Sequence, residues 1–293
     1  MPKVNAVPDF LSFWEQVAFL APPLQALAWE KAYYEPYCQV FDLYFTRWGE
    51  RARLQEAMTR YPAVFDRIQT MSRGLNAAID EVSVHVSSLL AAVATVDVIA
   101  FVGVFGAASW SWPVFSRPAA LVTLESFSDL ASVRLALAHE VTHAVAANAA
   151  GIGFSETQRY QDDLLFNLVF DGLAGLVSSW VCPGLDDATY LWGRDGRVNA
   201  GRSSANDRLA WCAAHRRELA RSCAEDILTD RAGAVDRYFG AKGDFMGQVL
   251  TGRWLALQFA RETFDQSGAA VALAAGIRPL RETAALWLRR AAR

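Results

Sequence analysis

Two histidines four residues apart are the part of this sequence best suited to chemistry. They lie in LALAHEVTHAVAA, residues 135–147, where His139, Glu140, Thr142 and His143 are the only polar side chains. On a helix, positions i and i+4 share a face, so His139 and His143 can offer two imidazole nitrogens to one metal ion. Glu140 follows about 100° round the helix, where its carboxylate can act as general base on a water at the metal without being a ligand. The pattern predicts a zinc site with an adjacent base.

The helix that carries these residues, here called the motif helix, is apolar on every side. Such a helix belongs in a protein core, where polar groups are costly unless they are bonded or ligated. A metal ion would satisfy both imidazoles. The alternative is a pair of core histidines that hydrogen-bond to backbone groups or carboxylates.

Asp171 is the candidate third ligand, because it is the single acidic residue in the apolar run LLFNLVFDGLAGLVSSWV. Enough chain separates His143 from Asp171 for the motif helix to end, turn and return beside itself. A carboxylate on the returning helix would complete the three protein ligands of an open catalytic zinc site. The alternative is an aspartate bonded to a histidine or an arginine in the core.

Two predicted strands precede the motif helix. Residues 95–110 are rich in β-branched and aromatic residues and predict a strand followed by a loop, and a second strand is expected at about residues 120–125. Between them, SWSWP (residues 109–113) is predicted to be an aromatic loop that either lines a side-chain pocket or closes the edge of the sheet.

Helix-start and helix-stop residues set the limits of the two central helices. Ser126 and Asp129 match a helix start, and Gly151 with Gly153 supplies the stop, so the motif helix is expected at about residues 127–150. The returning helix is expected at about residues 156–180.

The rest of the chain is predicted to be mostly helical, giving a mainly α-helical α+β protein with a small sheet. We expect a helical N-terminal layer (1–95), in which Gly74 marks a break, a catalytic core (96–182), and a loop or lid with a C-terminal helical layer (183–293), all in one compact unit. The turn-rich loop is expected at residues 183–207. The predicted C-terminal helices are 207–227, 230–239, 248–266 and 279–292.

Composition narrows the class of protein. The chain has 293 residues and a net charge of −3 without long single-sign runs, which argues against a nucleic-acid surface. The N-terminus has no evident export signal, and the apolar runs 86–108 and 164–182 contain polar residues that favour soluble core over membrane spans.

The four cysteines bear on the compartment of the cell. They are far apart in the chain and form no CxxC pair, which predicts reduced thiols in a cytoplasmic protein. A disulfide between Cys212 and Cys223 is the alternative.

The order of these parts resembles the gluzincin metallopeptidases, in particular a bacterial family of predicted zinc-dependent proteases of uncharacterised function. The similarity covers about residues 97–265. The segments that carry it are AALVTLESF, LALAHEVTHAV, LVFDGLAG and GQVLTGRWLALQFARETF.

This resemblance implies a zincin-like core and a role for each matching residue. His139 and His143 would be ligands, Glu140 the base, and Asp171 would stand where the family has glutamate. That shorter side chain is the main departure from the family pattern. Aspartate is a third ligand in the aspzincins, but this chain has no GTxDxxYG segment.

The expected function is therefore zinc-dependent hydrolysis of a peptide or small amide, by Glu-assisted attack of zinc-bound water. Candidates to stabilise the oxyanion are Tyr160, Tyr190, Tyr238 and His215, and nothing in the sequence selects among them. One alternative is a catalytically weak or inactive, metal-stabilised binding or regulatory protein. Another is a metalloenzyme that acts on a small molecule, with Fe²⁺ or another divalent metal in the two-histidine, one-carboxylate set.

Overall fold

The chain folds into a mainly helical α+β structure with one small mixed sheet, as the sequence predicts. The computed structural model describes residues 3–92, 96–114, 117–152, 160, 162–193, 204–240 and 243–293. The strands are β1 (Lys3–Asn5), β2 (Asp97–Phe101), β3 (Ser109–Val114) and β4 (Arg117–Thr123).

The α-helices make up most of the described residues. They are α1 (Val7–Val17), α2 (Pro22–Trp29), α3 (Cys38–Arg47), α4 (Leu54–Arg60), α5 (Phe65–Leu89), α6 (Leu130–Ala149), α7 (Leu164–Val181), α8 (Asp187–Trp192), α9 (Ala205–Ala214), α10 (Arg216–Leu228), α11 (Ala234–Phe239), α12 (Thr251–Thr263), α13 (Gln266–Ala274) and α14 (Ile277–Ala291).

The sheet has the strand order β1-β2-β4-β3. β1, β2 and β4 are parallel, and β3 runs antiparallel to β4. Every residue of β2 is buried, as expected for a parallel strand covered on both faces. β1 was not predicted, because three residues are too short to show a hydrophobic period. It pairs the start of the chain with β2, so the N-terminal segment contributes to the central sheet.

The prediction of a loop at SWSWP is wrong, because these residues begin strand β3. Burial alternates along the strand: Trp110, Trp112 and Val114 are buried, and the residues between them are half-buried. Serine and proline suggested a loop, but this alternation is the period of a strand with one covered face. Pro113 is compatible with it, since a proline is tolerated on an edge strand. Among the described residues β3 pairs with β4 alone, so it forms the edge of the sheet.

The motif helix is α6, and its predicted position is confirmed. Its N-cap is Asp129, whose side chain accepts a 2.7 Å hydrogen bond from the backbone N–H of Ser132. Ser126, the other predicted start residue, instead lies in the 3₁₀ turn Leu124–Ser126 that follows β4. Gly151 follows the helix with a φ of +69°, the left-handed conformation typical of a helix stop. Gly153 lies outside the described residues.

Gly74 does not break its helix, because α5 runs unbroken from Phe65 to Leu89. A Cβ atom at Gly74 would lie 2.6 Å from Cδ2 of Leu130, the first residue of α6. The glycine thus permits a close approach of α5 to the motif helix.

The C-terminal half contains more helices than predicted. The segment 183–207 includes the short helix α8, and residues 194–203 lie outside the described part of the chain. The predicted helix 207–227 is divided at His215 into α9 and α10. Helix α13 was not predicted, since its alanine-rich sequence shows almost no polar and apolar alternation.

The returning helix is α7, which begins at Leu164 after its N-cap Asp163. Residues 156–159 and 161 of the predicted helix lie outside the described residues. Within the described chain α7 is the one helix long and apolar enough to cross a membrane, with a mean hydropathy of 1.6 over 18 residues. However, 61% of that window is buried inside the protein, as in the core helix of a soluble protein. All four cysteines, Cys212 and Cys223 included, are free thiols.

Candidate metal centre

The structure brings together the two histidines of α6. The Nε2 atoms of His139 and His143 are 3.1 Å apart, and their side chains are 17% and 22% exposed. Thr142, another polar residue of the motif helix, donates a 2.7 Å hydrogen bond to the carbonyl of Ala138 within the helix. Thr142 is therefore satisfied by its own helix, and the two imidazoles face each other.

Asp171 on α7 joins the two histidines. Its Oδ1 atom lies 3.4 Å from Nε2 of His139 and 3.8 Å from Nε2 of His143, and its side chain is 14% exposed. One ligand atom from each of the three residues lies within 4.8 Å of the others. These three residues are called the metal centre below.

The donor set and its spacing fit a zinc ion. Two ligand atoms that each lie about 2.05 Å from a tetrahedral ion are about 3.3 Å apart. The separations of 3.1, 3.4 and 3.8 Å are close to this value. Two imidazoles and one carboxylate leave a fourth tetrahedral position for water or substrate, as in catalytic zinc sites.

A guanidinium lies beyond the outer oxygen of Asp171. Nε of Arg253 on α12 is 3.9 Å from Oδ2 of Asp171. Burial by itself would raise the pKa of the Asp171 carboxyl, but the guanidinium of Arg253 and then the neighbouring imidazoles of His139 and His143 hold that pKa well below its ordinary range. Asp171 is thus a carboxylate at neutral pH, the form that ligates a metal. Asp171 lies where the third ligand is predicted, and it also has the histidine and arginine neighbours that the alternative predicts, so its role as a ligand stays a prediction.

Glu140 projects from α6 toward the edge strand. Its side chain is buried, and its Oε1 atom accepts a 2.9 Å hydrogen bond from Oγ of Ser109, the first residue of β3. In the described part of the chain Glu140 is not among the grouped ligands. The bond to Ser109 and the absence of Glu140 from the ligand group fit the predicted role of a base more than that of a fourth ligand.

The loop before Ser109 is held by hydrogen bonds to buried side chains. The backbone N–H groups of residues 102–106 all donate to side-chain oxygens, which belong to Tyr33, Tyr44 and Glu125. Burial raises the pKa of the Glu125 carboxyl from 4.5 to about 7, although its backbone hydrogen bonds oppose this shift. The hydrogen bonds of residues 102–106 fix the start of β3 and, through Ser109, the carboxylate of Glu140.

The packing of α7 against α12 places Arg253 beside Asp171. A Cβ atom at Gly172 would lie 2.2 Å from the backbone oxygen of Ala256, so only glycine allows this approach. Gly172 directly follows Asp171, and Ala256 is three residues after Arg253. The two charged side chains therefore lie next to a close approach of the two helix backbones.

Two of the candidate oxyanion residues have their hydroxyls engaged in structural hydrogen bonds. Tyr190 donates to the carbonyl of Cys182 at 2.8 Å and accepts from the N–H of Leu185 at 3.1 Å. Tyr238 is fully buried and donates to Oδ2 of Asp226 at 2.9 Å. Neither hydroxyl is therefore available to act at the metal centre.

The other two candidates are in aromatic stacks. His215 stacks on Trp211, and its Nδ1 atom lies 2.9 Å from the Trp211 carbonyl. The ring of Tyr160 stacks on Phe166. Within the described residues, no hydrogen bond joins any of the four candidates to the metal centre, and their assignment stays a prediction.

Sequence reasoning missed Ser109 and Arg253. Ser109 was not recognised as a partner of Glu140 because its segment was expected to be a loop. Arg253 could have been found by the criterion that selected Asp171, because it is the only charged residue between Phe245 and Ala260.

No family model, curated protein or solved structure matches the chain. Its function is therefore inferred from its own residues.

Proposed function

We propose that the protein is a zinc-dependent hydrolase with a zincin-like core, acting as a metallopeptidase on peptide or amide bonds. The observation that supports this most strongly is the convergence of His139, His143 and Asp171. Glu140 follows His139 on the same helix. A divalent cation bound there would polarise the scissile carbonyl and make water a stronger nucleophile.

Glu140 would serve as the general base. It takes a proton from the attacking water and then gives that proton to the leaving amine. The Ser109 hydroxyl donates to one carboxylate oxygen and so limits the orientations of the side chain. Burial of Glu140 excludes most water from its surroundings, which favours transfer to the substrate.

The edge strand β3 favours a peptide substrate over a compact small molecule. The N–H of Thr123 donates to the carbonyl of Ala108, and Ser109 is opposite Val122 in the register. Hydrogen-bonded positions alternate in an antiparallel pair, so the backbone groups of Ser109 and Ser111 point away from β4. An extended peptide could pair with this edge and pass beside Glu140. The free thiols support a cytoplasmic location.

The variant Glu140→Gln tests this proposal. It keeps the shape of the side chain but removes the base, so we expect unchanged zinc content with a loss of turnover of at least about 100-fold. Zinc is measured by elemental analysis, and cleavage by digestion of a broad peptide library. The control His139→Ala should lose both zinc and cleavage. A wild-type protein without bound metal, or an unchanged rate in Glu140→Gln, would overturn the proposal.

One observation favours a second candidate, a metal-stabilised binding or regulatory protein. The hydroxyls of Tyr190 and Tyr238 are committed to structural hydrogen bonds, and so neither is free to stabilise an oxyanion. Bound zinc without cleavage of any library peptide would support this candidate. The same elemental analysis tests the iron alternative, because it identifies the metal directly.

A further inference from the structure

Arg253 has hydrogen-bonding capacity that its contacts do not use. Its Nη1 atom donates to the backbone carbonyl of Leu191 at 3.3 Å, and its Nε atom is 3.9 Å from Asp171. Nη2 has no acceptor among the residues that the structure describes. One third of the side chain is exposed, 33%, so solvent and ligands can reach it.

The contact with Asp171 does not by itself explain why an arginine occupies position 253. A distance of 3.9 Å exceeds that of a hydrogen bond, so the guanidinium attracts Asp171 but does not fix its orientation. The bond to Leu191 holds the guanidinium in place independently of the metal centre. Arg253 is thus a pre-positioned cation with a donor edge that no described residue occupies.

The charges around the metal centre favour an anionic ligand. A divalent cation, the carboxylates of Asp171 and Glu140, and the guanidinium of Arg253 would together leave one net positive charge. The guanidinium is 3.9 Å from the outer oxygen of Asp171, so it would lie within roughly 8 Å of an ion bound at the inner oxygen, which is about two Cα–Cα spacings of a peptide. An anion that contacts Arg253 would therefore belong to a residue next to, or one removed from, the scissile bond.

We infer that Arg253 is a specificity residue that binds a carboxylate of the substrate close to the scissile amide. A guanidinium matches the planar geometry of a carboxylate and binds it by charge-assisted hydrogen bonds. The carboxylate comes either from the C-terminus of a peptide or from an aspartate or glutamate side chain. This inference rests on the proposed function and adds a substrate class to it.

Two small chelating probes test the inference without requiring catalysis. Acetohydroxamate carries a metal-binding group alone, and succinic monohydroxamate carries the same group with a carboxylate two methylenes away. Their affinities for the zinc-loaded protein are measured by isothermal titration calorimetry. We expect the carboxylate probe to bind about tenfold tighter, the ratio expected for one additional charge-assisted hydrogen bond. In Arg253→Ala this ratio should fall to about one, and Arg253→Lys should keep part of it.

Arg261→Ala is the matched control, because Arg261 lies on the same helix and pairs with Asp187 away from the metal centre. It should keep the ratio of the wild-type protein. Equal affinities of the two probes for the wild-type protein would overturn the inference. It is also overturned if Arg253→Ala weakens zinc and both probes alike, since Arg253 would then only support Asp171.

Zinc content separates a failure of this inference from a failure of the proposed function. Absence of bound zinc overturns both, whereas zinc that binds both probes equally overturns only the role of Arg253. Three forms of one peptide then identify the source of the carboxylate: a free C-terminal acid, its amide, and the amide with an aspartate near its end. Tighter binding of the free acid to Glu140→Gln indicates a C-terminal carboxylate, and tighter binding of the aspartate form indicates a side chain. Equal binding of all three overturns the inference.

Discussion

The hydroxyl of Ser109 donates a 2.9 Å hydrogen bond to the carboxylate of Glu140. This bond joins the first residue of the edge strand to the motif helix. It connects the candidate base to the strand that we propose pairs with substrate. In the proposed function, Ser109 would therefore influence both the alignment of a substrate on β3 and the orientation of the base.

Ser109→Ala should lower kcat with little change in KM or zinc content. Removal of a hydrogen bond to a charged group costs about 1.5–3 kcal/mol, so a loss of about 10- to 100-fold in kcat is expected if the bond is kept in the transition state. Ser109→Thr retains the hydroxyl and should recover most of the rate. Ser111→Ala, two residues along the strand, is the matched control and should leave kcat unchanged. Steady-state kinetics with a peptide substrate measures each value.

Replacement of Asp171 by glutamate should weaken zinc binding. Its Oδ1 atom already lies 3.4 and 3.8 Å from the two imidazole nitrogens, so an additional methylene would displace the oxygen from this position. We expect Asp171→Glu to lower zinc affinity at least about tenfold, and Asp171→Asn to lower it further, since the charge is lost. Competition with a fluorescent chelator gives both affinities. Tighter zinc binding by Asp171→Glu would show that the aspartate geometry is not the preferred one.

Gly172→Ala should destabilise the protein by about 2–3 kcal/mol, because the added methyl group would overlap the backbone oxygen of Ala256 and force α7 and α12 apart. Gly175→Ala on the same helix is the control, since its Cβ atom would lie 3.4 Å from a side-chain atom of Leu257. That variant should change the free energy of unfolding by less than about 1 kcal/mol. Urea denaturation measures both values, and equal effects of the two variants would contradict the close-approach explanation.

Glu125 should make the protein less stable as the pH rises from about 4.5 to about 7. Burial raises the pKa of its carboxyl from 4.5 to about 7 in the folded state, so between these values the folded protein binds more protons than the unfolded chain. The resulting loss of stability is absent below this window, grows through it, and is constant above it, reaching up to about 3 kcal/mol.

Glu125→Gln tests this pH dependence. The variant should be less stable than the wild-type protein at pH 5, because an amide nitrogen cannot accept one of the two backbone N–H bonds. The difference should narrow at pH 8, since the amide does not ionise. Urea denaturation at several pH values gives the two curves, and parallel curves would contradict the assignment.

Much of the candidate metal centre followed from local sequence. The spacing of His139 and His143 places them on one face of any helix, and the apolar residues around them make a helix and its burial favourable. Asp171 was found because one charge in an apolar run needs a partner. The positions of β2, β4 and α6 were predicted on the same basis, from periodicity and capping residues within each segment.

Only the tertiary structure decided what lies around that centre. Ser109 reaches Glu140 because β3 pairs with β4, and Arg253 reaches Asp171 because Gly172 lets α12 approach α7. Each of these contacts joins segments far apart in the chain, and their distances depend on which elements pack together. A sequence pattern specifies the side chains of one segment and the faces they share. The partners of those faces are set by the packing of the whole chain, which local periodicity does not encode.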